Sequence, residues 1–78
     1  MAIDLAALDS ALIAAHAAHD TACMAELYYE AAQAFDDQGA IEAAAFYLTH
    51  AYVLSLDCGD EARAADCHAR LVALGREA

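Results

Sequence analysis

The sequence predicts an all-α fold, and three observations carry that prediction. Alanine, the strongest helix former, supplies 24 of the 78 residues. Only Ile3, Ile13, Thr21, Ile41, Thr49, Val53 and Val72 are β-branched, so the preference for strand is weak. Proline is absent, and the three glycines, Gly39, Gly59 and Gly75, are the expected points of chain reversal.

Asp4 is a fitting N-cap for a first helix over about residues 4–18, in which Leu5, Leu8, Leu12 and Ala15 recur at helical spacing with Ile13 to one side. Asp20 or Thr21 caps a second helix, residues 21–38, whose stripe is Leu27, Tyr28, Ala31, Ala32 and Phe35 and which ends at Gly39. A turn of one or two residues leads into a third helix, residues 40–56, marked by Ile41, Ala44, Ala45, Leu48, Ala51, Tyr52 and Leu56. After the Asp57-Cys58-Gly59-Asp60 turn, Asp60 caps a fourth helix over residues 60–74. Its stripe is Ala64, Cys67, His68, Leu71 and Leu74, with Gly75 as terminator. The expectation is four antiparallel helices in one domain, residues 1–78, because so short a chain has too little surface to bury for two cores.

A shift of 36 positions lays Leu5, Leu8, Leu12 and Ala15 on Ile41, Ala44, Leu48 and Ala51. The same shift lays Ala31, Ala32, Phe35 and Gly39 on Cys67, His68, Leu71 and Gly75. The segment from Ala25 to Asp57 resembles a tetratricopeptide repeat, a helical hairpin with small and large apolar residues at fixed positions. Tyr28 stands where the family prefers Trp, Ala31 at an apolar position, Ala32 where a small residue lets the two helices approach, Phe35 at an aromatic position and Gly39 at the turn. Ile41, Ala44, Leu48 and Ala51 follow along the second helix, and Leu56 stands near the place of the family's terminal proline. The resemblance implies a central hairpin flanked by capping helices. Tyr28, Phe35, Ile41 and Leu48 are then expected to meet across it, with Tyr28 inward and Tyr29 outward. It further implies a role in binding peptides or partner proteins. On the second helix the implied binding residues are Tyr29, Glu26, Glu30, Gln33 and Asp37.

Charge narrows the partner classes. Residues 1–62 hold 11 acidic side chains and no Lys or Arg, and the whole chain stands at −10. Such a field repels nucleic-acid phosphates and anionic lipid and favours encounter with a basic protein. It also serves solubility. No apolar run approaches the roughly 20 residues of a membrane span, and no basic segment precedes the first apolar residues, so a cytoplasmic protein is expected. Three cysteines, Cys23, Cys58 and Cys67, follow no paired spacing and suit a reducing compartment.

No Ser-His-Asp order, phosphate-binding glycine loop or paired-cysteine motif is present, and the expected protein is not an enzyme and carries no cofactor. His16 and His19, three apart, are weak metal candidates, with helix-end histidines as the plainer account. His50, beside Tyr47 and Tyr52, is expected to be partly buried and hydrogen-bonded. A histidine phosphotransfer domain is disfavoured because the chain contains no Lys. Leu8-Asp9-Ser10 lies inside the first helix, unlike the Asp-Ser of acyl carrier proteins. Three functional expectations follow. The first is an interaction module for a protein segment, basic in character, with self-association into a homodimer favoured by the small alanine-rich core. The second is a small metal- or redox-responsive protein using His16, His19 and a cysteine. The third is an acidic decoy that occupies a partner's basic cleft.

Overall fold

The computed structural model describes residues 4–75, the side chain of Leu5 excepted. The expected inward position of Leu5, together with Arg76 and Glu77, lies outside the described residues. Four helices form: α1 (Leu5–Ala17), α2 (Thr21–Asp37), α3 (Ile41–Asp57) and α4 (Glu61–Ala73). There is no strand among the described residues.

The helix boundaries follow from local chemistry. The carboxylates of Asp4, Asp20 and Asp60 accept from the backbone N–H of Ala7, Cys23 and Arg63, each at 3.0 Å, and so satisfy one orphan donor at the starts of α1, α2 and α4. Ala40 takes the same place before α3 with no side-chain bond. At the other ends, His19, Gly39, Gly59 and Gly75 lie in the left-handed region at φ 54°, 76°, 78° and 76°. Backbone bonds close three of these ends: Asp20 N–H donates to Ala15 O at 2.9 Å, Ala40 N–H to Phe35 O at 2.9 Å and Asp60 N–H to Ser55 O at 2.8 Å. This is the Schellman pattern, used three times.

The three connections are equivalent in geometry and evenly spaced along the sequence. Helices α2, α3 and α4 start at Thr21, Ile41 and Glu61, twenty residues apart. The 36-residue shift aligns the terminators Gly39 and Gly75, whereas the caps Asp20 and Asp60 are 40 apart; α4, at 13 residues against 17 for α2, is one turn shorter. Measured at their starts, α1 and α3 are 36 residues apart and α2 and α4 are 40 apart, both longer than the roughly 34 of tetratricopeptide repeats.

The helices pack chiefly on their neighbours in sequence, most extensively α2 on α3, then α3 on α4, and least α1 on α2. The result is a slab of 33 × 30 × 14 Å between Cα extremes. Alanine dominates the seams. Ala25, Ala31 and Ala32 of α2 and Ala44, Ala45 and Ala51 of α3 are buried, which lets the backbones approach closely. Leu48, Cys67 and Leu71 supply the bulk of the buried cluster, with Tyr28, Tyr29, Tyr47, Tyr52 and Leu74 packed against it.

Two expected core residues are exposed. Ile41 is the first residue of α3 and lies level with the end of α2, so the hairpin closes without it: Tyr28 and Phe35 of α2 meet Tyr47 of α3, and Leu48 lies in the buried cluster. Leu56 is also exposed, because Ser55, one residue earlier, carries the buried stripe of Ala44, Leu48 and Ala51 into the last turn. The Ser55 hydroxyl is buried with no hydrogen-bond partner among the described residues.

Candidate functional site

The residues implied for recognition on α2 separate into two groups. Ala25 and Ala32, seven positions apart, mark the centre of the buried stripe, and Tyr28 and Tyr29 fall on its two flanks. Tyr29, expected to point outward, is half-buried because α4 packs over its flank. Its hydroxyl donates to Asp66 Oδ2 of α4, and Arg70 Nε donates to the same oxygen at 3.1 Å. The guanidinium carbons of Arg63 and Arg70 lie 5.8 and 5.6 Å from the centre of the Tyr29 ring, within cation–π range.

The electrostatics of this cluster agree with its geometry. Burial, helped by the bond to Asp66, raises the Tyr29 phenol above its ordinary value, and the bond from Tyr29 holds the Asp66 carboxyl below its own. The bond to Asp66 also raises Arg70. The group ties α2 to α4. Of the other implied residues, Glu26, Glu30 and Asp37 are exposed and Gln33 is half-buried. They form an open acidic edge beside the tie.

The opposite face holds a groove that sequence reading did not anticipate. It runs between α1 and α3 with α2 beneath. At one end, Ala6, Leu8, Asp9 and Leu12 of α1 stand beside Tyr47 of α3. At the other, His16 of α1 stands across Met24 and Tyr28 from Thr49, His50, Val53 and Leu54, around a hollow of about 380 Å³. Asp9, Leu12 and Ile13 join the two ends. The floor is aromatic: Tyr28 stacks on His50 at 5.2 Å between ring centres, and Tyr47 lies 5.7 Å from Tyr28 and 5.2 Å from Phe35. Phe46 closes on His50 at 4.4 Å. Ile13, Phe46 and Val53, 63%, 56% and 51% exposed, stand on this side as large apolar residues in solvent.

Why α1 leaves a groove is visible in its composition. Between Leu5 and Ala17 the polar residues are Asp9, Ser10 and His16, spread around the helix, so apolar side chains face every direction. Among the described side chains of α1 only Ala15 is buried. Leu8 and Leu12, expected on the inward stripe, are half-buried on the groove wall. A helix apolar all round calls for cover on more than one side. Neighbouring α2 covers one.

The histidines and cysteines are dispersed. His16 is in the last turn of α1, whereas His19 is past the helix end in the left-handed region, so the two do not share a helical face. His50 is exposed, with Nδ1 2.9 Å from the Phe46 carbonyl. Among the described residues no three His, Cys, Asp or Glu side chains come together as a metal site. The thiols are free: Cys58 is exposed, Cys23 half-buried, and Cys67 fully buried, where desolvation pushes it up to about 11. No helix among the described residues is long and apolar enough to cross a membrane. Comparison with family models, with curated proteins and with solved structures finds no match for this chain.

Proposed function

We propose that this chain is a non-enzymatic protein-interaction module whose working surface is the groove between α1 and α3. The observation that carries the reading is the continuity of that groove: apolar walls from two helices, an aromatic floor and protruding Ile13 and Val53 at its margins. Such a lining desolvates another chain's side chains, and buried aromatic and aliphatic anchors are what interface cores are made of. In the tetratricopeptide-like arrangement, with α2 and α3 as the central pair and α1 and α4 as caps, this surface lies on the first and third helices. The implied face on α2 is instead engaged by Asp66, Arg63 and Arg70 at Tyr29. Free thiols fit a reducing cytoplasm as the place of action.

A second reading, the acidic decoy, is favoured by the 11 carboxylates of residues 1–62 and the exposed edge of Glu26, Glu30 and Asp37. The two separate in one comparison of affinity capture from cells. The groove variant Ile13→Gln/Val53→Gln is expected to lose the bound protein, whereas Glu26→Gln/Glu30→Gln retains it. Capture that survives the first pair and is lost with the second would overturn the groove and favour the decoy.

A further inference from the structure

The groove described above as a binding surface has a definite size and a definite charge, and together they select its occupant. From Leu8 to His16 the α1 wall rises about 12 Å, the length of a little over two helical turns. A guest helix matching that wall presents apolar side chains at i, i+3 or i+4, and i+7. Leu12, Met24, Tyr28, Val53 and Leu54 then form the bed.

The three helices that form this bed carry fixed charge of one sign. From Leu5 to Asp57 there are eight Asp and Glu and no Lys or Arg, with Glu26, Glu30 and Asp37 on the edge away from the groove. Asp9 is on the groove itself. The connections reverse the chain at each step, so α1 and α3 run parallel and bring their carbonyl ends, the negative poles of their dipoles, to the same end of the groove. Asp57 stands at that end, as does Asp20, whose carboxylate caps the amide start of α2 between them. Of the arginines, Arg63 and Arg70 are on α4, paired with Asp60 and Asp66 at 3.2 and 3.1 Å. A second copy of this chain brings −10 against −10 and its own paired arginines, a poor electrostatic match.

We infer that the α1–α3 groove receives a basic amphipathic helix of a partner protein, apolar side chains inward and Lys or Arg outward along the rim. This rests on the groove being the working surface and adds the chemistry of its partner. Apolar contact supplies most of the affinity, and the charges supply speed of encounter and discrimination.

The test uses the intact chain and a peptide of about 18 residues made only of Leu and Lys, with Leu at helical i, i+3, i+4 spacing, long enough to hold a helix once seated. Two controls accompany it: the same residues scrambled, and the patterned peptide with Glu for Lys. By fluorescence anisotropy the patterned Leu/Lys peptide is expected to bind at least about tenfold more tightly than either control, a difference of about 1.4 kcal/mol. Its affinity falls as salt rises. Ile13→Gln/Val53→Gln reduces it about tenfold or more, and Val72→Gln, an exposed site on α4, does not. Circular dichroism verifies that the variants are folded. Equal binding of patterned and scrambled Leu/Lys peptides, or indifference to the groove substitutions, overturns the inference. Sedimentation equilibrium distinguishes the two levels of failure. A homodimer dissociated by Ile13→Gln/Val53→Gln refutes the basic helix while leaving an interaction surface. A monomer whose groove substitutions alter neither peptide binding nor cellular capture refutes both.

Discussion

At the scale of single residues the clearest anomaly is Ser55. Its hydroxyl is fully enclosed and has no partner among the described residues, so the fold bears the desolvation of a polar group with no bond in return. Ser55→Ala is expected to raise stability by about 1 kcal/mol, read as an increase in the urea midpoint at unchanged slope. A lower midpoint would mean the hydroxyl is satisfied in solution. Asp66 gives a second prediction. Its carboxyl is held below the ordinary value by the Tyr29 hydroxyl, so the ionised form is favoured in the folded state. That contribution is present above the unfolded carboxylate range, about pH 4, and is lost as pH falls through the lowered folded value. The remaining carboxylates complicate any single acid titration, since protonating them relieves repulsion in a chain of net charge −10. The difference between the parent and Asp66→Asn cancels that common part: the advantage of the parent is expected to shrink below pH 4. The residue scale is also where sequence misled. Tyr28 meets α3 as its place on the stripe implies, but that its neighbour Tyr29 is also engaged depends on how α4 lies, which no local pattern encodes.

At the scale of elements, the helix ends were the most legible part of the chain. Aspartate caps and glycine terminators act through bonds spanning three to five residues, so Asp4, Asp20, Asp60, Gly39, Gly59 and Gly75 declared the helices directly. His19 is the exception, holding with a side chain the left-handed conformation that the other ends give to glycine. His19→Gly is expected to stabilise the fold by roughly 0.5–1 kcal/mol, the relief of left-handed strain less the added freedom of the unfolded chain. Gly59→Ala, at the equivalent place, destabilises by about 1 kcal/mol although no atom crowds the new methyl group. Thermal melts of the two variants measured together check both signs. The orientation of α1 was the least legible, for the opposite reason. A helix with apolar residues on every side has no preferred inward face, so Leu8 and Leu12 looked like core and are walls of a groove. The stripes of α2 and α4, with polar residues on one side, were readable: Ala31, Ala32, Ala64, Cys67 and Leu71 are all buried as expected.

At the scale of the whole molecule, a slab 14 Å thick built on alanine seams has little interior. Protection should follow burial. Amide exchange is expected to be slowest in α2 and α3, which hold the most extensive pairing, and fastest in α1, which among its described side chains buries Ala15 alone. The basic helical peptide, if seated against α1, slows exchange there before anywhere else. Slow exchange in α1 of the unliganded chain would show that its apolar surface is already covered. The composition foretold this thinness, since 24 alanines bring little apolar area per helix. It did not foretell on which side the uncovered surface would lie.

The recurrence of one backbone junction at twenty-residue intervals lets the chain be lengthened by whole helix pairs. The joint ahead of Thr21 and the joint ahead of Glu61 share cap, terminator position and closing bond, so residues 21–60 can be copied and spliced in tandem with no new type of bend. The product would be a six-helix ribbon, with Tyr28 and Tyr47 duplicated along a second bed.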